Sequence, residues 1–290
     1  MADPGPFGSA SVVVYGLASA AAWGSADFGG GLASRRAPLF GVVLLSQVGG
    51  MAFAFGLALL RREPAPAPLD VGWSLLAGVL GAVGILGLYG GLAVGRMSVV
   101  APVTGVLAAI VPVMAGVILE GLPHALVMLG IVLALAAVVL VSRLPGEAGG
   151  RSGIELALMS GLALGLFNVV ISRVDDRLVF GPLTIVRAAE AATVVLVVLA
   201  TRRPVRLPAA LVPAVVGVGL LDMAGNAGFL FAQGSGPLAV ASILSSLYPV
   251  TTLLLAALVL HERLTRTHAV GIAAALGGIV LIGVGSMPGG

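Results

Sequence analysis

The chain has 290 residues, 59% of them apolar and only 9% charged, with a mean hydropathy of +1.15 and a formal net charge of +3. A soluble domain carries roughly 25% charged residues, so a water-soluble fold of this length is excluded and a bilayer must surround most of the chain. Its 15 basic residues are all arginines, scattered among connectors except for Arg187, which excludes a nucleic-acid footprint; the lack of cysteine excludes disulfides, thiol catalysis and thiolate metal sites.

Crossing ~30 Å of hydrocarbon takes about 20 apolar residues. In chain order, such runs predict spans at 12–34, 39–60, 71–94, 97–119, 124–142, 154–173, 180–200, 209–232, 237–260 and 267–286. The segment Met1–Ser11 has no basic region ahead of the first run, so no cleavable signal peptide is expected. Arg35-Arg36-Ala37-Pro38 ends the first span, Arg61-Arg62-Glu63-Pro64 the second and Arg202-Arg203-Pro204 the seventh. The continuous Ala/Leu/Val composition fits helices and not the ~10-residue alternation of membrane strands. The fold class expected is therefore all-α integral membrane, with ten transmembrane helices. His124, His261 and His268 lie at helix ends without ligand spacing, so neither a metal nor a cofactor is expected.

The polar stretch Arg143–Arg151 falls near the middle of the chain, and the halves match at an offset near 140. Residues Leu17–Asp27 lie over Leu158–Asn168, which pairs Gly24 with Gly165 and Asp27 with Asn168. Pro38 and Pro182 both open a second helix, Pro112 and Pro249 lie inside a fourth, and Glu120 and Glu262 close it. The expected domains are 1–145 and 152–290, each of five helices. Because five is odd, the second half enters the membrane from the opposite side, giving two inverted repeats around a central cavity at the midplane.

An ionised group at the bilayer centre costs ~2.5–3.5 kcal/mol even on lenient scales, so each one needs a reason. Asp222 lies mid-span in the eighth helix, with Asn226 and Phe229 on the same face. They read as the lining of a cavity or as a hydrogen bond that fixes packing. Trp23 and Asp27 repeat the i,i+4 relation in the first helix, and Asn168 with Phe167 follows from the repeat. Arg187 and Glu190, three apart in the seventh helix, read best as a structural intrahelical pair. The third helix carries Gly78, Gly81, Gly84, Gly87 and Gly90 at period three, a groove for close backbone approach, with Tyr89 at its far end. In the ninth helix Ser242, Ser245, Ser246 and Tyr248 gather before Pro249, which frees a carbonyl and kinks the helix. Pro102 and Pro112, near Thr104, are the corresponding hinge candidates of the fourth.

Trp23-Gly-Ser, the Pro182-Leu-Thr-Ile-Val-Arg187 opening of the seventh helix, and Tyr248-Pro249 with Glu262-Arg263-Leu264-Thr265 thirteen residues on resemble the signatures of the EamA family in the drug/metabolite transporter superfamily. The first repeat departs from that pattern: it has no Arg in its second helix, and Glu120 follows Pro112 by eight residues. The resemblance implies a bacterial-type inner-membrane exporter, acting as a monomer on small metabolites such as amino acids or related amphipathic compounds. A flippase of a lipid-linked substrate and a multidrug exporter are the alternatives within the superfamily. The resemblance also implies cytoplasmic termini, whereas the arginines favour odd-numbered connectors and so place both termini outside. No nucleophile elbow, metal cluster or paired interfacial acids point to an enzyme. The expected partners are a small-molecule substrate, membrane lipid and a coupling proton, with Asp27 and Asp222 as the acids that bind substrate ammonium or proton.

Overall fold

A computed structural model describes residues 8–95, 97–142 and 153–259, with scattered residues between 266 and 281. Among these, all regular structure is helical: α1 (Gly8–Ser34), α2 (Leu39–Arg61), α3 (Pro68–Val94), α4 (Met97–Glu120), α5 (Ala125–Ser142), α6 (Ile154–Ile171), α7 (Phe180–Thr201), α8 (Val212–Gln233), α9 (Leu238–Ser245) and α10 (Tyr248–Val259). Prolines set several starts, since their missing N–H belongs to the first turn, where no intrahelical partner exists. Pro68 opens α3, Pro38 caps α2, Pro182 sits in the first turn of α7, and Pro237 caps α9. The spans α2, α3, α6, α7, Ala209–Gln233 and Val240–Val259 are long and apolar enough to cross a membrane.

The expected ninth helix is discontinuous. It breaks at Ser246-Leu247, directly before Tyr248-Pro249, and resumes as α10. The missing N–H and ring of Pro249 disturb the preceding turn, so the break falls where the residue type requires it. In contrast, α4 runs unbroken through Pro102 and Pro112. The eighth span begins with a short 3-10 turn at Ala209–Leu211. The expected tenth span and the Glu262–Thr265 motif fall largely outside the described residues, as do Arg143–Arg151 and the side chains of Pro102 and Glu120.

Most of the tight packing joins one half of the chain to the other. α1 packs on α8, and α6 on α3; α2 packs on α7 and α8, and α7 on α3 as well as α2. Atomic contacts repeat at a spacing of 140 or 141 residues. The Ser19 hydroxyl donates to the Gly225 carbonyl at 2.7 Å, and Ser160 donates to Gly84 at 2.6 Å. Gly78 admits the Val186 carbonyl of α7, and Gly219 admits the Ser46 carbonyl of α2. Gly24 faces Tyr248 and Thr251, while Gly165 faces Leu107 and Val111 of α4. Residues Arg62 and Arg202, which close α2 and α7, both take the left-handed backbone, with φ 53° and 52°. The glycine groove of α3 receives neighbouring helices: Gly78 and Gly81 face α7, while Gly84 and Gly87 face α6.

Candidate functional site

Where α1, α3, α4, α6, α7 and α8 converge on the α9–α10 break, they line a partly open cavity. Four pairs of its lining residues are 141 apart: Trp23 and Leu164, Asp27 and Asn168, Gly81 and Asp222, Ile85 and Asn226. The cavity therefore lies across the relation between the halves, but its two walls differ in chemistry. On the α1–α8 wall stand Trp23, Asp27, Asp222 and Asn226; on the α3–α6 wall stand Gly81, Ile85, Leu164 and Asn168.

Arg187 is the centre of the charge network. It is 1% exposed, and its Nη1 lies 2.9 Å from Glu190, 2.6 Å from Asp222 and 2.5 Å from the Gln47 amide oxygen. Ion pairing is what makes a cation tolerable at this depth. The pair is thus not confined to α7: Arg187 joins α7 to α8 and α2, and both Arg187 and Glu190 line the cavity. The network changes the chemistry of the lining. Asp222 is not a free acid, because it is ion-paired, and Glu190 adds a third carboxyl group to a lining expected to hold only Asp27 and Asp222. Asn226 supports Asp222 from one turn on, its Nδ2 donating to the Asp222 carbonyl at 2.8 Å. Gln47, Arg187 and Glu190 join the expected site residues only through the packing of α2, α7 and α8. Their only local signal is the three-residue spacing of Arg187 and Glu190, since Gln47 and Asp222 are 140 and 35 residues from Arg187.

Asp27 is 5% exposed and faces the same cavity, yet among the described residues it carries no hydrogen bond or ion pair. Trp23 lies one turn before it, tilted against Phe229 at 5.9 Å and edge-on to Tyr248 at 6.3 Å.

The expected lining residues divide between cavity and packing. Trp23, Asp27, Phe167, Asn168, Asp222, Asn226, Ser246 and Tyr248 come together at the cavity. The remaining five lie off its wall. Tyr89 packs over Gly30 and directs its hydroxyl at the Ala26 carbonyl, 3.5 Å away. Thr104 donates to the Ala157 carbonyl at 3.3 Å, which ties α4 to α6. Phe229 is fully buried behind Trp23. Ser242 and Ser245 are buried in α9 with no hydrogen-bond partner for their hydroxyls. Tyr89, Thr104 and Phe229 each have a neighbour that a one-dimensional face assignment cannot foresee. Among the described residues, no group of three His, Cys, Asp or Glu side chains could hold a metal ion.

The model of the EamA-like transporter family matches the sequence twice, over residues 10–143 and 151–284. The chain belongs to the EamA-like transporter family. It is a multi-pass membrane transporter of the drug/metabolite type, in a family whose members are transporters and not enzymes. A solved crystal structure of a protein shares its fold, with a TM-score of 0.70 over 94% of this chain and 96% of that chain, at 20% identity. That likeness concerns the fold alone. No curated protein matches the chain. For this EamA-like chain, the cavity between the two matched regions is the candidate transport site.

Proposed function

We propose that this chain is a secondary transporter that exports small metabolites, amino acids or related amphipathic compounds, across a bacterial-type inner membrane. It acts as a monomer by alternating access, with the units 1–145 and 152–290 as inverted repeats that rock around the cavity. The observation that carries this reading is the cavity itself. Both halves contribute to its lining, and Arg187 of α7 bonds across them to Gln47 of α2 as well as to Glu190 and Asp222, so a relative movement of the halves must rearrange that contact.

The reading assigns roles by geometry. Arg187 ties the halves through Gln47 of α2, and with Glu190 and Asp222 it sets the field of the site. Asp27, without a partner, receives the substrate ammonium or a coupling proton, and Trp23, Phe167 and Tyr248 supply aromatic surface. Asn168, Asn226 and Ser246 offer hydrogen bonds. Tyr89, Thr104, Phe229, Ser242 and Ser245 act behind this layer, and Pro249 with the α9–α10 break serves as a hinge, a role that Pro102 and Pro112 would share in α4. A lipid-linked diphosphate is a poor fit, because the lining's single cation is already shared among three acceptors.

The test is flux of a panel of amino acids and amines into proteoliposomes, with and without a pH gradient. Saturable uptake that slows in Asp27→Asn and changes its pH dependence supports the assignment. Absence of flux for every solute, with scrambling of a lipid-linked sugar instead, overturns it in favour of the flippase.

A further inference from the structure

The cavity holds one cation against three carboxyl groups, and that cation is committed. Every hydrogen bond of Arg187 runs through Nη1 to Gln47, Glu190 or Asp222. Its Nε and Nη2 are buried without partners, and Nε stands 3.6 Å from the point where a Cβ on Gly50 of α2 would lie, on the side of the helix packing. A carboxylate entering the cavity would therefore meet Asp27, Glu190 and Asp222 with no accessible guanidinium edge to receive it. A cation meets the opposite situation. Asp27 presents an unpartnered, nearly fully buried carboxyl group, with the Trp23 ring one turn away on the same face and Tyr248 edge-on to that ring. An ammonium over an aromatic face is attracted by the ring quadrupole, and more strongly when water is excluded.

The two walls extend the argument. Exchange of the halves puts Gly81 where the other half has Asp222, Ile85 where it has Asn226, and Leu164 where it has Trp23. Ile85 and Leu164 belong to one apolar cluster. The charge of the site is thus gathered on α1, α7 and α8, with an apolar surface on α3 and α6 across from the α1–α8 wall.

We propose that the cavity selects amphipathic primary amines, seating the ammonium on Asp27 and the apolar body on Ile85 and Leu164, with no requirement for a carboxylate. This rests on the transport reading above and narrows it: amino acids are accepted through their ammonium group, and the amine without the carboxylate is the better ligand. The seat is asymmetric because its repeat counterpart is Asn168, which cannot neutralise an ammonium.

The chain has two tryptophans, so a Trp73→Phe background leaves Trp23 as the only indole, inside the site. Titration of the full-length purified chain with phenethylamine, phenylalanine and 3-phenylpropionate then compares an amine, a zwitterion and an acid that carry the same ring. The expected result is a saturable change of Trp23 fluorescence with phenethylamine, weaker binding of phenylalanine, and none of phenylpropionate. Asp27→Asn should weaken phenethylamine at least about tenfold, the size of one lost 1.4 kcal/mol contact, while Asp27→Glu stays much closer to the parent and shows that the fold tolerates change there. Phenylpropionate binding as tightly as phenethylamine, or an Asp27→Asn affinity within about twofold of the parent, overturns the proposal. Amine binding without any flux would sink the transport reading and leave the seat standing; flux with Asp27-independent selection would do the reverse.

Discussion

Arg187→Met removes a guanidinium that serves two carboxylates and one amide, and replaces it with an unbranched apolar side chain. Arg187 is 1% exposed, and its partners Glu190 and Asp222 are 4% and 8% exposed, so solvent cannot take over the lost contacts. Removing one partner of a buried ion pair costs about 3–5 kcal/mol, chiefly because the other charge is left uncompensated. For a chain of this size each kcal/mol moves the melting temperature by about 2 °C, which predicts a fall of roughly 6–10 °C. The triple variant Arg187→Met, Glu190→Gln, Asp222→Asn removes the stranded charges as well and should recover most of that loss, since replacing a whole buried ionic cluster is often neutral. The assay is a thermal melt in detergent followed by intrinsic fluorescence, comparing the single variant, the triple variant and the parent. A single variant that melts within about 2 °C of the parent, or a triple variant no better than the single, would refute the idea that Arg187 ties α7 to α2 and α8.

Other consequences follow from the packing between halves. Ser19→Ala and Ser160→Ala break equivalent hydrogen bonds, so each should cost about 0.6 kcal/mol, with the two agreeing to within ~0.5 kcal/mol in unfolding titrations. A side chain at Gly24 would run into the Tyr248 carbonyl oxygen, whereas Gly72 has nothing within 4 Å; Gly24→Val should therefore lose folded yield in size-exclusion profiles while Gly72→Val does not. Glu63 accepts the N–H groups of Phe180 and Gly181 at 2.9 and 2.8 Å, holding the start of α7 from the α2–α3 connector. Glu63→Ala should cost about 0.5–2 kcal/mol, as loss of a helix cap does, and should raise hydrogen exchange at the first turn of α7.

Much of the helical framework is written in short-range chemistry. Apolar runs of spanning length, punctuated by arginine and proline, locate nine of the expected spans, and Pro249 marks the break between α9 and α10. The period-three glycines of α3 are legible as a groove, although only the packing reveals that α6 and α7 fill it. The alignment of Leu17–Asp27 over Leu158–Asn168 carries the register that the Ser19 and Ser160 hydrogen bonds follow. The charge network was legible only in part. Helical spacing pairs Arg187 with Glu190, but nothing local connects either to Asp222 or to Gln47, because that contact exists only once α2, α7 and α8 meet. The same limit explains Tyr89 and Phe229: their faces are readable from helical periodicity, but not which neighbour covers them. Even the contrast between the walls needs the three-dimensional pairing of α1 with α8 and α3 with α6.

On the proposed function, solute crosses the membrane through the cavity between the halves. Ala108 is 3% exposed and lines that cavity from α4. Counterflow of radiolabelled phenethylamine in proteoliposomes, measured for the parent and for Ala108→Trp with matched folded yield, tests it directly. Saturable counterflow is expected in the parent, with near-complete loss when the indole fills the cavity; equal counterflow in both would rule out that route.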